Sequence, residues 1–283
     1  MKTILVPTDF STNASYAATT ALILSEKLHA NLLLYNTYID YPNIDSYAGG
    51  SWIVEEFVKK QNHSKDNLAL LVENLEALSE NLDPEDKKPT INWQSGDNDL
   101  WLGIAEITHQ KSIEMIVMGS RSNKPDDFLL GHDTNSVIEH ATCPVLIVPS
   151  KTNPKEIDKV TFATDFNDVD IKAMDYLVKL AKLFNYKIEI AHVVEPGIKD
   201  AEETEKQMHF VQHVARSRYT AISYIEVRGK DVASRLNHLC KQNQTGLLAM
   251  VHNKRSFFGR LFTHSETRKE LADQKIPLLV FPA

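Results

Sequence analysis

The sequence predicts an α/β fold of two tandem doubly wound domains, each a five-stranded parallel sheet flanked by helices. Three observations support this prediction. The chain has 283 residues, which is enough for two domains at roughly 150 residues each. Its second half echoes its first, and short apolar runs alternate with helical periodicity in both. The apolar runs are near-continuous, which is typical of strands that are buried on both faces in a parallel sheet.

The internal repeat consists of three pairs of similar segments that occur in the same order in each half. The pairs are 4–11 with 160–167, 96–99 with 229–231, and 143–149 with 276–282. Three echoes in one order indicate a duplicated unit rather than chance similarity. We therefore predict one domain over residues 1–150 and a second over 158–283, joined by a polar stretch that contains Pro154.

In the first half, strands and helices are predicted to alternate along the chain. The predicted strands are 3–7, 31–37, 90–95, 113–119 and 144–149, and the predicted helices are about 12–29, 52–82, 99–110 and 133–141. Ser11 and its second-half counterpart Asn167 each follow an Asp-Phe pair. Both residue types are favoured at helix N-caps, so a helix is expected to begin directly after each.

The segment at 38–89 is much longer than its counterpart at about 195–218. Leucines recur in it at three- and four-residue spacing, which predicts one stripe of a long amphipathic helix. These are Leu68, Leu71, Leu75, Leu78 and Leu82. The favoured interpretation is a helix that faces the core of its own domain. A helix that contacts a partner protein or a second subunit is the alternative, and no residue pattern selects it.

Composition and charge narrow the function classes. The net charge of −7 gives no general attraction to nucleic acid or anionic lipid, so neither is expected as a partner. The two cysteines, Cys143 and Cys240, exclude a disulfide scaffold and a four-cysteine zinc site and fit a reducing compartment. The sequence shows neither a signal-peptide pattern nor an apolar run near the ~20 residues of a membrane span. We expect a soluble, cytoplasmic protein.

Ligands of an open doubly wound sheet bind beyond the carboxyl ends of its strands, where the strand order reverses. In the first half, these ends hold Asp9 after the first strand and Gly119 after the fourth. In the second half they hold Asp165 and residues 250–252. An aspartate at such an end can accept hydrogen bonds from a ribose hydroxyl or an adenine amino group. Capping of the following helix through backbone N–H groups is the favoured alternative.

The order of these motifs resembles the universal stress protein family in its tandem form. The motifs are VPTDFS at 6–11, IVMGSR at 116–121, CPVLIVP at 143–149, TDF at 164–166, HVV at 192–194 and the closing strand after Pro277. The resemblance covers nearly the whole chain twice. It implies a Rossmann-like five-stranded sheet in each half, dimerisation through the last strand and, in many members, ATP binding. With both halves in one chain, the strands at 144–149 and 277–281 are expected to form the seam of an intramolecular pseudo-dimer.

The resemblance also indicates where a nucleotide would bind if the site is retained. The residues at the family's site positions are Asp9, Thr37, Gly119, Gly131, Asp165, Val193 and Ser265. Of these, Thr37 and Val193 would line an adenine pocket. ATP-binding members carry G-x-x-G, nine further residues, and then G-S or G-T. The glycines of that loop let backbone N–H groups reach phosphate oxygens, and the next helix N-terminus favours negative charge.

The first half departs from this loop pattern. Gly119 is present, but the second glycine is replaced by Ser122, and only eight residues separate Ser122 from Gly131. Asp126 and Asp127 also lie in the loop, where their carboxylates would repel a triphosphate. ATP binding is therefore expected to be weakened or lost in the first half.

The second half keeps the spacing but loses the glycines. Val251, Lys254 and His264 stand at the three glycine positions, and only Ser265 keeps the hydroxyl position. Lys254 and Arg255 could hold an anion directly as charged donors. A solvated basic loop is the favoured alternative. If an anion site is retained, we expect it here rather than in the first half.

Other chemical signatures are absent or weak. The sequence contains no G-x-G-x-x-G, no Walker-type loop, no G-x-S-x-G and no H-E-x-x-H. His209 and His213 lie four residues apart on a predicted helix and could bind zinc with a carboxylate. An exposed helical pair is the favoured interpretation, so no metal is expected. Cys143 and Cys240 are expected to be inert packing thiols.

The function that we infer from the sequence is a non-catalytic stress-response protein that acts by binding and conformation, with degenerate nucleotide loops. The alternative is an ATP-binding switch that uses Asp9, Gly119 and Gly131 or Asp165 and Ser265. In one form of this alternative, the switch also hydrolyses ATP slowly. A nucleotide-transferring enzyme is a third class, but such enzymes usually carry H-x-G-H where this chain has Pro-Thr-Asp. A homo-oligomer and an unidentified protein partner both stay open.

Overall fold

The computed structural model describes residues 2–38, 51–80, 88–120, 132–149, 152–194, 201–252 and 276–283. In the first half, the elements are β1 (Thr3–Pro7), α1 (Thr12–Leu28), β2 (Asn31–Thr37), α2 (Ser51–Ser79), β3 (Ile91–Gly96), α3 (Leu100–Gln110), β4 (Ile113–Gly119), α4 (His132–His140) and β5 (Val145–Val148). A short 3-10 helix, Pro154–Glu156, follows. In the second half, they are β6 (Lys159–Ala163), α5 (Asp168–Phe184), β7 (Lys187–Val194), α6 (Ala201–Arg216), β8 (Ile222–Arg228), α7 (Val232–Gln242), β9 (Leu247–His252) and β10 (Leu278–Pro282).

The described strands form one continuous sheet in the order β3-β2-β1-β4-β5-β10-β9-β6-β7-β8. Neighbouring strands within each half are parallel. Each half therefore contributes five parallel strands, and the predicted fold class is confirmed. In each half the first strand lies between the second and the fourth, so the strand order reverses at β1 and again at β6.

The two halves join through their last strands. β5 and β10 pair in antiparallel fashion, with Ile147 opposite Leu278 and Val145 opposite Val280. This antiparallel pair is the seam. The strands of one half run opposite to those of the other. The carboxyl ends of the strands in the first half therefore point in the opposite direction from those in the second half.

The same turn leads from the first strand of each half into its helix. Phe10 and Phe166 have φ values of 62° and 59°, a left-handed conformation that is uncommon for a bulky residue. A threonine two residues earlier accepts a hydrogen bond from the phenylalanine N–H in both turns, at 3.0 and 2.8 Å. Ser11 and Asn167 follow as N-caps, as predicted, and the Ser11 Oγ accepts a hydrogen bond from the N–H of Ala14 at 3.2 Å.

Helices cover both faces of the sheet. One face packs against apolar side chains of α1, α2, α5 and α6, and the other against those of α3, α4 and α7. Strands such as β1 and β9 are buried over nearly their whole length. Burial on both faces explains why their sequences are apolar without alternation.

The long helix α2 packs against the core, but the predicted leucine stripe is only partly correct. Leu68 and Leu75 are buried and Leu71 is half-buried, whereas 45% of Leu78 is exposed. Ten residues at about 100° each place Leu78 about 80° around the helix from Leu68. Leu82 lies outside the described residues. None of the described helices is long and apolar enough to cross a bilayer.

Cys143 and Cys240 are both buried in the core, and neither forms a disulfide. Burial, reinforced by the nearby Glu114 carboxylate, raises the pKa of the Cys143 thiol to about 12. Since the thiolate is the reactive form, this thiol is unreactive at neutral pH.

A carboxylate on β4 connects the halves beside the seam. The Glu114 carboxylate forms ion pairs with Lys2 Nζ at 2.8 Å and with Lys179 Nζ at 2.9 Å. Lys179 belongs to α5 of the second half. Burial acts to raise the pKa of Glu114, but the hydrogen bonds from the two lysines outweigh it, and the pKa lies below its ordinary value of 4.5.

We expect Glu114→Gln to lower the free energy of unfolding by about 1 kcal/mol at neutral pH, because it removes both ion pairs. A lowered folded-state pKa stabilises the protein above pH 4.5 and ceases to do so as the pH falls through the folded-state value. Urea unfolding near pH 7 and near pH 3 checks this. The exposed Glu73→Gln on α2 is the control. The expectation fails if the two variants lose equal stability, or if the loss from Glu114→Gln is the same at both pH values.

Candidate functional site

A cleft of about 600 Å³ lies at the carboxyl ends of β1, β2 and β4. This is the point of the first half where the strand order reverses, and crevices at such points are where doubly wound sheets bind ligands. Its described walls come from the β1–α1 turn, the end of β2, one face of α2, the end of β4 and the first residues of α3 and α4. We call it the first-half cleft.

Asp9 lies in the turn that forms the floor of the first-half cleft. Its Oδ1 accepts a hydrogen bond from the N–H of Ser11 at 3.0 Å. The Asp9 side chain therefore binds a backbone N–H at the start of α1. This is the capping role that was favoured from the sequence. The side chain is nonetheless exposed at the cleft, and Oδ2 makes no hydrogen bond with the described residues. Capping and ligand binding are compatible for this carboxylate.

A buried polar pair fixes the geometry of the strand ends. The Asn36 Nδ2 donates to the Thr8 carbonyl at 2.7 Å, and the Ser64 hydroxyl donates to the Asn36 Oδ1 at 2.6 Å. These bonds tie β1, β2 and α2 together. Sequence reasoning missed both residues. The available signals were a single polar residue within the apolar run of β2 and a serine four residues before Leu68 on the buried side of α2.

The end of β2 forms the wall next to α2. Thr37 lines the cleft at the position where the family resemblance puts an adenine contact. Beside it, the Tyr38 hydroxyl accepts a hydrogen bond from Gln61 Nε2 at 3.1 Å, and its ring packs edge-on against Phe57 at 5.3 Å. On α2, Lys60 and His63 also line the cleft.

Gly119 is the last residue of β4 and lies against the first turn of α1. A Cβ at this position would lie 2.6 Å from the carbonyl carbon of Asn13, closer than such contacts allow. The Asn13 Nδ2 donates to the Ser120 carbonyl at 2.8 Å and holds this edge together. The glycine is therefore required for the close approach of α1 to the strand end.

Two further carboxylates that sequence reasoning missed line the first-half cleft. Asp99 is the N-cap of α3, but its side chain makes no capping hydrogen bond. Asp133 lies in the first turn of α4. With Asp9, they place three carboxylates in one cleft with Lys60 and His63. Asp99 and Asp133 reach the cleft because the N-termini of α3 and α4 converge there. No local sequence pattern shows this convergence.

At the corresponding turn of the second half, aromatic rings pack against one another. His192 replaces Asn36 and contacts the Thr164 carbonyl through Nδ1 at 2.7 Å. Phe166 is 3% exposed, and its ring centroid lies 4.6 Å from that of His192 and 5.4 Å from that of Phe210 on α6. Its counterpart Phe10 is half-buried and lines the open cleft.

The remaining second-half positions are also more enclosed. The Asp170 carboxylate accepts hydrogen bonds from the Thr164 hydroxyl at 2.7 Å and the Asn167 N–H at 3.1 Å. Burial raises the pKa of Asp170 despite these bonds. The equivalent of Gly119 is Val251, which is 2% exposed and packs in the core.

Of the predicted site residues, the structure brings Asp9, Thr37 and Gly119 together around the first-half cleft. Asp165 and Val193 are half-buried at the ends of β6 and β7. Four predicted residues lie outside the described part of the chain: Gly131, Lys254, Arg255 and Ser265. The expected anion site therefore stays a prediction.

The histidine pair on α6 does not form a metal centre with other described residues. His209 is exposed, and His213 Nε2 lies 2.9 Å from Asp175 Oδ1 on α5. Within the described ranges, no group of three or more histidine, cysteine, aspartate or glutamate side chains is placed to bind a metal ion.

We expect Gly119→Ala to destabilise the protein by about 1–3 kcal/mol, since the added methyl group displaces the start of α1. The control is Gly246→Ala, where the nearest atom to a new Cβ is an Ile157 methyl at 3.1 Å. Urea unfolding measures both. Equal stability of the Gly119→Ala variant and the parent would contradict the close approach.

Comparison with known proteins agrees with this architecture. The model of the universal stress protein family matches residues 1–149 and again residues 156–282. A universal stress protein from Archaeoglobus fulgidus DSM 4304 is 17% identical, with 99% of this chain and 96% of that chain covered at a TM-score of 0.69. A putative universal stress protein from Pseudomonas aeruginosa UCBPP-PA14 is 15% identical, with 99% and 92% covered at a TM-score of 0.60.

At these identities, the structural likeness establishes the fold alone. No match was found among proteins of curated function. The family model, however, accounts for both halves of the chain in tandem. The chain belongs to the universal stress protein family.

Proposed function

We propose that this protein is a non-catalytic, cytoplasmic binding protein of the stress response whose ligand site is the first-half cleft. Its second half serves as the structural partner that completes the sheet. The proposed ligand is a nucleoside-type molecule, and Mg-ATP is bound weakly.

The observation that carries this proposal is the difference between two equivalent strand ends. In the first half, the β1 turn borders an open cleft of about 600 Å³, a volume suited to a small-molecule ligand. In the second half, the equivalent Phe166 ring is buried against His192 and Phe210. Among the described residues, the first-half turn thus borders an open cleft, whereas the second-half turn is packed against aromatic rings.

The donors and acceptors of the cleft favour hydroxyl and amino groups. Asp9 and Asp99 present carboxylate oxygens, and Thr37 adds a hydroxyl. Carboxylates accept hydrogen bonds from sugar hydroxyls and from exocyclic amines. A ribose with an attached base supplies both.

The contacts in the cleft also support a binding role without catalysis. Two of the hydroxyls that line it, those of Thr8 and Ser64, hydrogen-bond to the Phe10 N–H and to Asn36. The ring nitrogen Nε2 of His63 contacts Asn67 at 2.9 Å. Among the described residues, therefore, none of these hydroxyls is hydrogen-bonded to a histidine that could take its proton.

The second candidate is an ATP-binding switch. Gly119 keeps the close approach of strand and helix that the family's phosphate loop starts from. Against it, three carboxylates line the cleft, and a triphosphate brings about four further negative charges.

Titration calorimetry with adenosine and with Mg-ATP tests the proposal. We expect Mg-ATP to bind no tighter than about 10 μM, near −7 kcal/mol, with no phosphate release. Asp9→Asn should weaken adenosine binding about tenfold, while the exposed Asp97→Asn should leave it unchanged. A sub-micromolar Mg-ATP affinity that Asp9→Ala abolishes would favour the switch. Absence of adenosine binding would refute the cleft as a nucleoside site.

A further inference from the structure

We propose that the outer edge of β3 pairs with the β3 edge of a second copy of this chain, in an antiparallel dimer centred on Trp93. The two last strands, β5 and β10, already pair with each other, so β3 and β8 are the outer strands of the described sheet. An outer strand presents N–H and C=O groups that another strand can bind. This pairing does not depend on the ligand proposed for the first-half cleft.

The bonds between β2 and β3 show which groups of β3 face β2. The Leu32 N–H donates to the Thr90 carbonyl at 2.9 Å, and the Tyr38 N–H donates to the Gly96 carbonyl at 3.1 Å. The strands stay in unbroken parallel register between these two bonds. In such a ladder, alternate residues of a strand bond to the same neighbour, so the even-numbered residues of 90–96 bond to β2.

The odd-numbered residues of β3 therefore direct their backbone groups away from β2. These residues are Ile91, Trp93 and Ser95. Their N–H and C=O groups form no backbone hydrogen bond with any other residue that the structure describes. The Trp93 side chain is also 39% exposed, and its neighbours Asn92 and Gln94 are exposed. The edge thus offers three consecutive sets of free donors and acceptors beside an exposed aromatic ring.

This edge is complementary to itself. With Trp93 opposite Trp93 of the second copy, Ile91 lies opposite Ser95 of the second copy, and the reverse holds by symmetry. Opposed residues of this kind exchange both of their N–H···O=C bonds in an antiparallel pair. The same register sets Asn92 opposite Gln94 of the second copy, and their carboxamides can both donate and accept hydrogen bonds. All the free backbone groups of the edge are then paired.

Charge favours the β3 edge over the β8 edge. Residues 91–96 contain no charged side chain. On β8, by contrast, Glu226 and Arg228 are exposed and lie 3.4 Å apart. Charged side chains on an outer strand oppose its pairing with another chain. In the β3 dimer, moreover, the register brings Lys88 of each copy to a position next to Asp97 of the other, where their opposite charges attract.

The size of the contact sets its strength. A pair of six-residue strands buries much less surface than the roughly 1,200 Å² that stable interfaces need. The dimer is therefore expected to be weak and reversible, with a dissociation constant in the micromolar range.

Sedimentation velocity of the full chain between about 5 and about 500 μM tests the proposal, because a weak dimer forms within this range. Trp93→Lys should raise the dissociation constant of the dimer at least about tenfold, since two like charges would lie directly opposite each other. The matched control is Tyr224→Lys, which places the same charge on an exposed aromatic position of the other outer strand, β8. It should leave the dissociation constant unchanged.

A mixture of two variants tests the centre of the register. Trp93→Lys and Trp93→Glu should each remain monomeric alone, whereas an equimolar mixture should associate within about threefold of the parent protein, because opposite charges then face each other. This recovery occurs only if both variants fold and position 93 faces itself.

Four outcomes overturn the proposal. The first is a parent protein that stays monomeric over the whole concentration range, and the second is association that grows beyond a dimer. The third is an equal effect of the Trp93→Lys and Tyr224→Lys substitutions. The fourth is a mixture of the two Trp93 variants that stays monomeric.

Discussion

The antiparallel pairing of β5 with β10 is the contact on which the rest of the structure depends. It converts two five-stranded sheets into one sheet and leaves neither last strand as an open edge. Because the pairing is antiparallel, it also makes the carboxyl ends of the strands, and with them the two strand-end sites, point in opposite directions. Asp9 and Asp165 therefore cannot contact the same small ligand, and each half must be judged as a separate site.

Within this frame, the duplicated unit has diverged at a few positions. The β1 and β6 turns share a left-handed phenylalanine held by a threonine. The difference arises next to that turn, where Asn36 recruits Ser64 of α2 in the first half, whereas His192 packs on Phe166 in the second. A polar contact to α2 lies at the strand end in one half, and an aromatic cluster packs at the equivalent position in the other.

The strands and N-caps followed from the sequence because they depend on local features, namely apolar runs and the residue after the Asp-Phe pair. Asp9, Thr37 and Gly119 were found because strand ends converge in a parallel sheet. Lys60 was not found, because its position depends on how α2 is rotated against β2. The leucine spacing predicted the buried face of α2 only approximately, since Leu78 is exposed. Helix phase was the missing information.

We propose that the two halves are unequal, with the ligand site in the first. Hydrogen–deuterium exchange of the full chain with and without saturating adenosine distinguishes the halves. We expect slower exchange in peptides covering 8–14 and 57–66 upon adenosine addition, and unchanged exchange in those covering 164–170 and 190–194. Protection confined to the second-half peptides, or equal in both halves, would contradict it.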